Sequence, residues 1–253
     1  MLLALLGAVK QEVDGLRKRL GLREVAAPPG RHLFAGQCGQ REVLLLQTGM
    51  GRQRAGAAAE YLLGRYPVGI LISLGFAGAL RGDLGVGDLV LCQRLLTTNP
   101  SDGAACHSDA DLLAQAARAA TEAQCRWVTG DSLTADGLAA DPREKLALGE
   151  TSGAASVDME TYWLARAAAA RRIPFLAVRA ISDTLPQKLP PFERLVDADG
   201  VWRSAKATSY LLAHPAELAA LPTMYRNARR AQMSLTRALC ALTTNLASGS
   251  TSL

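Results

Sequence analysis

The chain predicts an α/β fold, a three-layer αβα sandwich around a central, largely parallel or mixed sheet, in a single domain over residues 1–253. Three observations carry this. Short apolar runs alternate with helical patterns through the first 190 residues. Several of those runs end in glycine or in an acid. One helix start, Asp141-Pro142-Arg143-Glu144, combines a capping acid, a proline at the first helical position and a glutamate two residues after it.

In order, residues 2–9 read as a buried strand whose end is marked by Gly7, and Glu12 to Leu20 show helical spacing at Val13, Leu16 and Leu20. A loop with Pro28, Pro29 and Gly30 precedes strand candidates at 31–36 and 41–47, which bracket the turn residues Gly39 and Gln40. Thr48-Gly49-Met50-Gly51 then leads into an alanine-rich helix over 52–63. Ile70 to Leu74 is a buried strand ending in a Gly75-Phe76-Ala77-Gly78 loop, and Gly85-Val86-Gly87-Asp88 introduces a strand over 89–96. Residues 97–108 read as loop, 109–123 as helix, 126–128 as strand, and Gly130-Asp131-Ser132 as the start of another loop. After the helix at Asp141 and the turn Ser152-Gly153-Ala154 come a short strand to Val157, then Asp158-Met159-Glu160 and a helix over 161–171. Ile173 to Ile181 is a buried strand ending in Ser182-Asp183-Thr184.

Composition narrows the class. Hydrophobic residues are 49% and charged residues 20% of the chain, which excludes a disordered polymer. The apolar opening has no basic residue before it and breaks at Lys10, Gln11 and Glu12, so it reads as a strand rather than a signal peptide, and a cytoplasmic protein is expected. Five scattered cysteines and three histidines show no metal-ligand spacing, so reduced thiols and no metal are expected. No GxSxG appears for a serine hydrolase, and Gly7-Ala8-Val9-Lys10 stands where a dinucleotide fingerprint belongs. Nucleic acid is not an expected partner.

In open α/β sheets ligands bind beyond the C-terminal ends of strands. Thr48 to Gly51, Gly75 to Gly78, Asp158 to Glu160 and Ser182 to Thr184 fall there. Each has a plain structural reading when taken alone. A glycine loop before a helix is usually a turn, an Asp after a strand usually caps a helix, and a Glu at a helix start complements its dipole.

Together these segments resemble the purine/uridine phosphorylase and nucleosidase family, in its methylthioadenosine/adenosylhomocysteine nucleosidase-like branch. The match runs in order through Gly7-Ala8 with Glu12, Thr48-Gly49-Met50-Gly51, Gly75-Phe76-Ala77-Gly78, Gly87-Asp88, Val157-Asp158-Met159-Glu160 and Val178-Arg179-Ala180-Ile181-Ser182-Asp183. The helix start through Lys145, the Ala177 to Asp183 segment and the basic C-terminal extension look most like the hopanoid-associated group, which removes adenine from adenosylhopane.

The resemblance implies cleavage of a purine nucleoside's N-glycosidic bond, with no cofactor. Such cleavage builds positive charge on the ribose and negative charge on the base. Asp183 would protonate purine N7, for which a raised pKa and the absence of a nearby cation are expected; Arg179 is read as a structural or orienting residue. Glu160 would accept ribose hydroxyls as a carboxylate, with Met159 along the sugar. Gly51, Phe76, Ala77, Gly78 and Ser182 complete the expected binding set. Glu12 matches the position that orients water, which favours hydrolysis. Phosphorolysis stays open: phosphate as co-substrate would use backbone N–H groups at Gly49 to Gly51 with Arg52 or Arg54. Methylthioadenosine, adenosylhomocysteine and futalosine are alternative substrates, and a non-catalytic nucleoside-binding module is the rival from another class. Phe76 is a departure, because relatives often carry a small hydroxyl residue there. A homodimer or larger homo-oligomer is implied.

The charge of +5 is unevenly placed. Beyond residue 200 stand Arg203, Lys206, Arg226, Arg229, Arg230 and Arg237 against one acid, Glu217. Leu221, Met224, Ala228, Ala231, Leu235, Leu239 and Leu242 recur at helical spacing, predicting a basic amphipathic helix within about 201–242. Two readings stand for it: a cover over the core or a subunit interface, and a peripheral contact with the inner membrane face.

Overall fold

The computed structural model describes residues 2–27, 30–190 and 214–248. Pro28, Pro29 and the part of the basic extension carrying Arg203 and Lys206 lie outside them. In chain order the strands are β1 (Leu2–Gly7), β2 (Arg23–Val25), β3 (His32–Cys38), β4 (Arg41–Gln47), β5 (Val68–Ala79), β6 (Leu89–Thr97), β7 (Cys106–His107), β8 (Trp127–Thr134), β9 (Ser156–Asp158) and β10 (Phe175–Asp183). The helices are α1 (Lys10–Arg19), α2 (Arg52–Arg65), α3 (Ala110–Glu122), α4 (Pro142–Ser152), α5 (Thr161–Ala170) and α6 (Pro215–Ser248).

All ten strands join one mixed sheet in the order β10-β6-β8-β9-β5-β1-β4-β3-β2, with β7 on β6. The period-two alternation of β1 shows how the layers form. Leu3 and Leu5 enter the core shared with α1, α3 and α6, while Leu2, Ala4 and Leu6 enter the one shared with α2 and α5. A strand buried on both faces has no polar side, which is why 2–7 is an unbroken apolar run.

The sheet is not simply open. β10 pairs in parallel with β5 and antiparallel with β6, so β5, β10, β6, β8 and β9 close into a ring, and β1, β4, β3 and β2 extend from it. Closure needs long strands, and this corrects two of the expected loops. Gly75-Phe76-Ala77-Gly78 lies inside β5, whose register runs Arg179↔Gly75 through Asp183↔Gly78 against β10. Gly130-Asp131-Ser132 lies inside β8, where Ser132 pairs with Leu95 of β6 and Ser156 of β9. The stretch 97–108 likewise holds a short 3-10 turn at Pro100–Asp102 and the strand β7.

Of the predicted span 201–242, residues 201–213 lie outside the described residues, and helix α6 runs past its predicted end to Ser248. Ala231, Leu235, Leu239 and Leu242 are buried against the core, and Arg226, Arg229, Arg230 and Arg237 are exposed. The covering role therefore accounts for the amphipathic pattern from Ala231 onward. Among the described residues no helix is long and apolar enough to cross a membrane.

Candidate active site

A buried polar cluster of Ser132, Thr134, Thr161 and Arg179 gathers at the ring, and Asp158 organises it. At the end of β9 its Oδ1 accepts from the Thr134 hydroxyl at 2.9 Å and from the Glu160 and Thr161 amides at 3.1 and 3.0 Å. Its Oδ2 accepts from the Ser132 hydroxyl at 3.3 Å, from Arg179 Nε at 2.8 Å and from the Thr161 hydroxyl. Asp158 thus caps α5, as an acid after a strand commonly does, and pairs with a buried arginine as well. Burial works to raise its pKa, but the Arg179 charge and these hydrogen bonds prevail and hold it below the ordinary value. Arg179 also reaches Ser73 at 2.7 Å and the Thr161 hydroxyl, so the structure puts it in the frame of the site.

Glu12 is placed by its helix. As the third residue of α1 it reaches back to the Ala8 and Val9 amides at 2.6 and 3.1 Å, while its other oxygen accepts from the Phe76 amide of β5 at 2.7 Å. Burial raises its pKa against the pull of those amides and of the Arg179 charge. A side chain at Gly75 would put its Cβ 2.8 Å from that Glu12 oxygen, and one at Gly78 would sit 3.0 Å from Asp183 Oδ2. The glycines of β5 are needed for clearance between strand and acids.

Glu160 follows Asp158 at the start of α5 and accepts from the Gly51 amide at 2.6 Å, which ties α5 to the N-terminus of α2. Burial first, then the neighbouring Asp158 charge, push its pKa up to about 8. Such a shift favours a proton on Glu160 at neutral pH, where a carboxylate was expected from the sequence.

Asp183 ends β10, with Oδ1 accepting from the Ser182 hydroxyl at 2.8 Å and Oδ2 engaged by the Lys145 ammonium. The site was expected to keep cations away from this acid. Instead a lysine of α4 sits on it, and nothing local in Asp141-Pro142-Arg143-Glu144-Lys145 announces that burial. Gly78, Val157, Asp158, Met159 and Asp183 line a small cavity with Gly137, Leu138 and Ala139 of the β8–α4 connection. Its volume is about 20 Å³, room for a single water rather than for a ligand pocket of roughly 300–1,000 Å³.

The remaining candidates fall as follows. Ala77 is buried beside the site, and its carbonyl accepts from the Ser182 hydroxyl at 3.4 Å. Arg52 pairs with Asp102 at 3.0 Å and lies 3.8 Å over the Trp163 ring, so its charge is already engaged. Arg54 stands in the first turn of α2. Among the described residues no cluster of His, Cys, Asp and Glu could hold a metal ion.

Glu12 and Asp183 lie against the glycine-bearing end of β5, Glu160 is near enough to Glu12 to feel its charge, and the raised pKa values of both glutamates mark this as a candidate active site on an α/β frame. The chain belongs to the phosphorylase superfamily, whose family model matches residues 2–213. It is 28% identical over 198 residues to a 5'-methylthioadenosine/S-adenosylhomocysteine nucleosidase of Bacillus cytotoxicus, covering 72% of this chain and 86% of that one. The fold is that of a Neisseria meningitidis methylthioadenosine/adenosylhomocysteine nucleosidase, with TM-score 0.76, 18% identity and coverage of 96% and 99% of the two chains. A futalosine hydrolase of Helicobacter pylori gives TM-score 0.75 at 17% identity, over 96% and 97%.

Proposed function

We propose that this chain hydrolyses the N-glycosidic bond of an adenine nucleoside. The observation that carries the reading is the gathering of Glu12, Glu160 and Asp183 around β5. Asp183, at the cavity, protonates N7, so that the base leaves neutral rather than as an anion; general acid catalysis of this kind contributes about 10²- to 10⁴-fold. Glu160 meets the ribose hydroxyls and stabilises the sugar once it ionises beside the developing cation. Glu12 orients the attacking water, and a carboxylate whose pKa is raised by burial takes up that water's proton more readily.

Two contacts favour water over phosphate. The Gly51 amide, which an anion at the start of α2 would need, already donates to Glu160, and one nitrogen of the half-exposed Arg52 guanidinium is paired with Asp102. The named relatives act on adenine or futalosine nucleosides, in line with a purine leaving group. For the 5′ substituent we favour the large apolar group of adenosylhopane. The support is the solvent face of α6, where Leu218, Tyr225 and Met233 are exposed on the same helix as Arg226, Arg229 and Arg230, a combination suited to an anionic membrane surface.

The test is a panel of adenosylhopane, methylthioadenosine, adenosylhomocysteine, futalosine and inosine, with and without phosphate, resolved by chromatography. Free base and free ribosyl product without phosphate is the expected result. Ribose 1-phosphate formed only with phosphate would replace hydrolysis by phosphorolysis. Sedimentation with anionic vesicles, for the wild type and a variant lacking the Arg226, Arg229 and Arg230 charges, checks the membrane contact; salt-insensitive or absent binding leaves α6 as a cover alone.

A further inference from the structure

Helix α4 buries its lysine and exposes its leucine. Lys145 has 0% of its surface exposed and is the one residue of that helix that is buried, whereas Leu146 beside it is 46% exposed. Transfer energetics favour the opposite arrangement, because an enclosed ammonium costs several kcal/mol unless it is paired and hydrogen-bonded. Here it is both. Nζ donates to Asp183 Oδ2, to the Thr184 carbonyl at 3.1 Å and to the Gln187 carbonyl at 2.9 Å, which uses all its protons. The helix is seated closely enough to hold it there: Gly149, one turn on, leaves so little room that a Cβ would lie 2.7 Å from the Leu80 carbonyl oxygen. Gln187 is itself held from behind, its side-chain oxygen accepting from Asn227 of α6 at 3.0 Å.

We propose that Lys145 is a positioning residue for Asp183 and that the two work as one acid, with the proton on Nζ while the site is empty. This rests on the nucleosidase reading above. As the C1′–N9 bond breaks, its electron pair stays on the base. A Lys145 N–H bond breaks as an Asp183 O–H bond forms, and that O–H breaks in turn as N7–H forms. The base leaves neutral, Lys145 is left as an amine, and the proton that Glu12 takes from the attacking water as it bonds C1′ is then released to solvent, from which the amine regains its ammonium proton. Asp183 Oδ2 suits this traffic, since it touches Lys145 on one side and faces Gly78, in the cavity lining, on the other.

The pair makes the empty site a carboxylate site, which ligand binding reads without turnover. 9-Deazaadenine carries hydrogen on N7 and donates to a carboxylate; 9-methyladenine, locked by its methyl group in the tautomer with a lone pair on N7, prefers a protonated acid. Calorimetric titration of the wild type with both bases is expected to favour 9-deazaadenine by at least about tenfold, equivalent to about 1.4 kcal/mol. Lys145→Met, or Lys145→Gln if the first does not fold, is expected to bring the two affinities within about threefold and to slow adenine release by about 100-fold. A merely structural lysine would weaken both bases alike and keep their ratio, so an unchanged ratio in the variant overturns the proposal, as does a wild type without preference. A wild type that binds neither base and releases no adenine removes the nucleosidase reading, and this proposal with it.

Discussion

Asp158 and Asp183 are both buried acids at strand ends, each facing one buried cation, yet they are filled differently. An ionised carboxylate offers about four lone-pair positions. Six donors crowd onto Asp158, whereas Asp183 has Ser182 and Lys145 alone among the described partners. An oversubscribed acid can only hold structure together. One with vacant positions beside a cavity can still exchange a proton or a hydrogen bond with something that enters.

Four experiments bear on that contrast. Asp183→Asn cannot deliver a proton, so kcat on an adenine nucleoside should fall by about 10²- to 10⁴-fold. Its melting temperature should drop far less than that of the Asp158 variant, since the amide oxygen still accepts from Lys145. Near-wild-type turnover would show that Asp183 is no acid. Asp158→Ala leaves Arg179 charged and enclosed, and should cost about 3–5 kcal/mol of unfolding free energy in urea melts. A loss under about 1 kcal/mol would erase the distinction between the two sites.

The third concerns Glu160, which follows Asp158 by two residues and whose pKa is pushed up by burial and then by the Asp158 charge. The fold keeps its proton to about pH 8, while the unfolded chain releases it near the ordinary glutamate value of 4.5. The stability Glu160 contributes is therefore complete below about pH 4.5 and is lost as pH rises through about 8. Glu160→Gln removes that loss, so melting temperatures of wild type and variant should diverge in the variant's favour from pH 5 to 9. Parallel curves would refute the burial of this proton. The smallest effect is expected from Asn227→Ala, which frees Gln187 behind the open pair and should cost about 0.5–1.5 kcal/mol in the same melts. No change would detach α6 from the support of the site.

Much of this was legible in the chain. Glu12, Glu160 and Asp183 stand out because each follows an apolar strand within a few residues, and a charge so close to a core must be capped, paired or used. Strand ends were less legible, since β5 and β8 are extended by pairing partners far away in sequence: glycines that locally signal a turn are kept extended by β10, and Gly130 to Ser132 by β6 and β9. Arg23 to Val25 is a strand only because β3 lies alongside, as all three of its residues are exposed. Lys145 was hidden for the same reason. Its helix start reads as a solvated surface, and the carbonyls that receive it belong to a turn some 40 residues later. The available hint was indirect: α4 has no apolar stripe, and its Gly149 falls one turn after the lysine.

The closure of the sheet also sets a timetable. β10 is bonded along both edges and carries Arg179 and Asp183, while β2 is bonded only to β3. When the protein breathes, amides of the outer strands should exchange with solvent deuterium through small local openings, and those of β10 only when the whole ring comes apart. On the proposed mechanism, the acid that protonates the base sits on the strand expected to let go last.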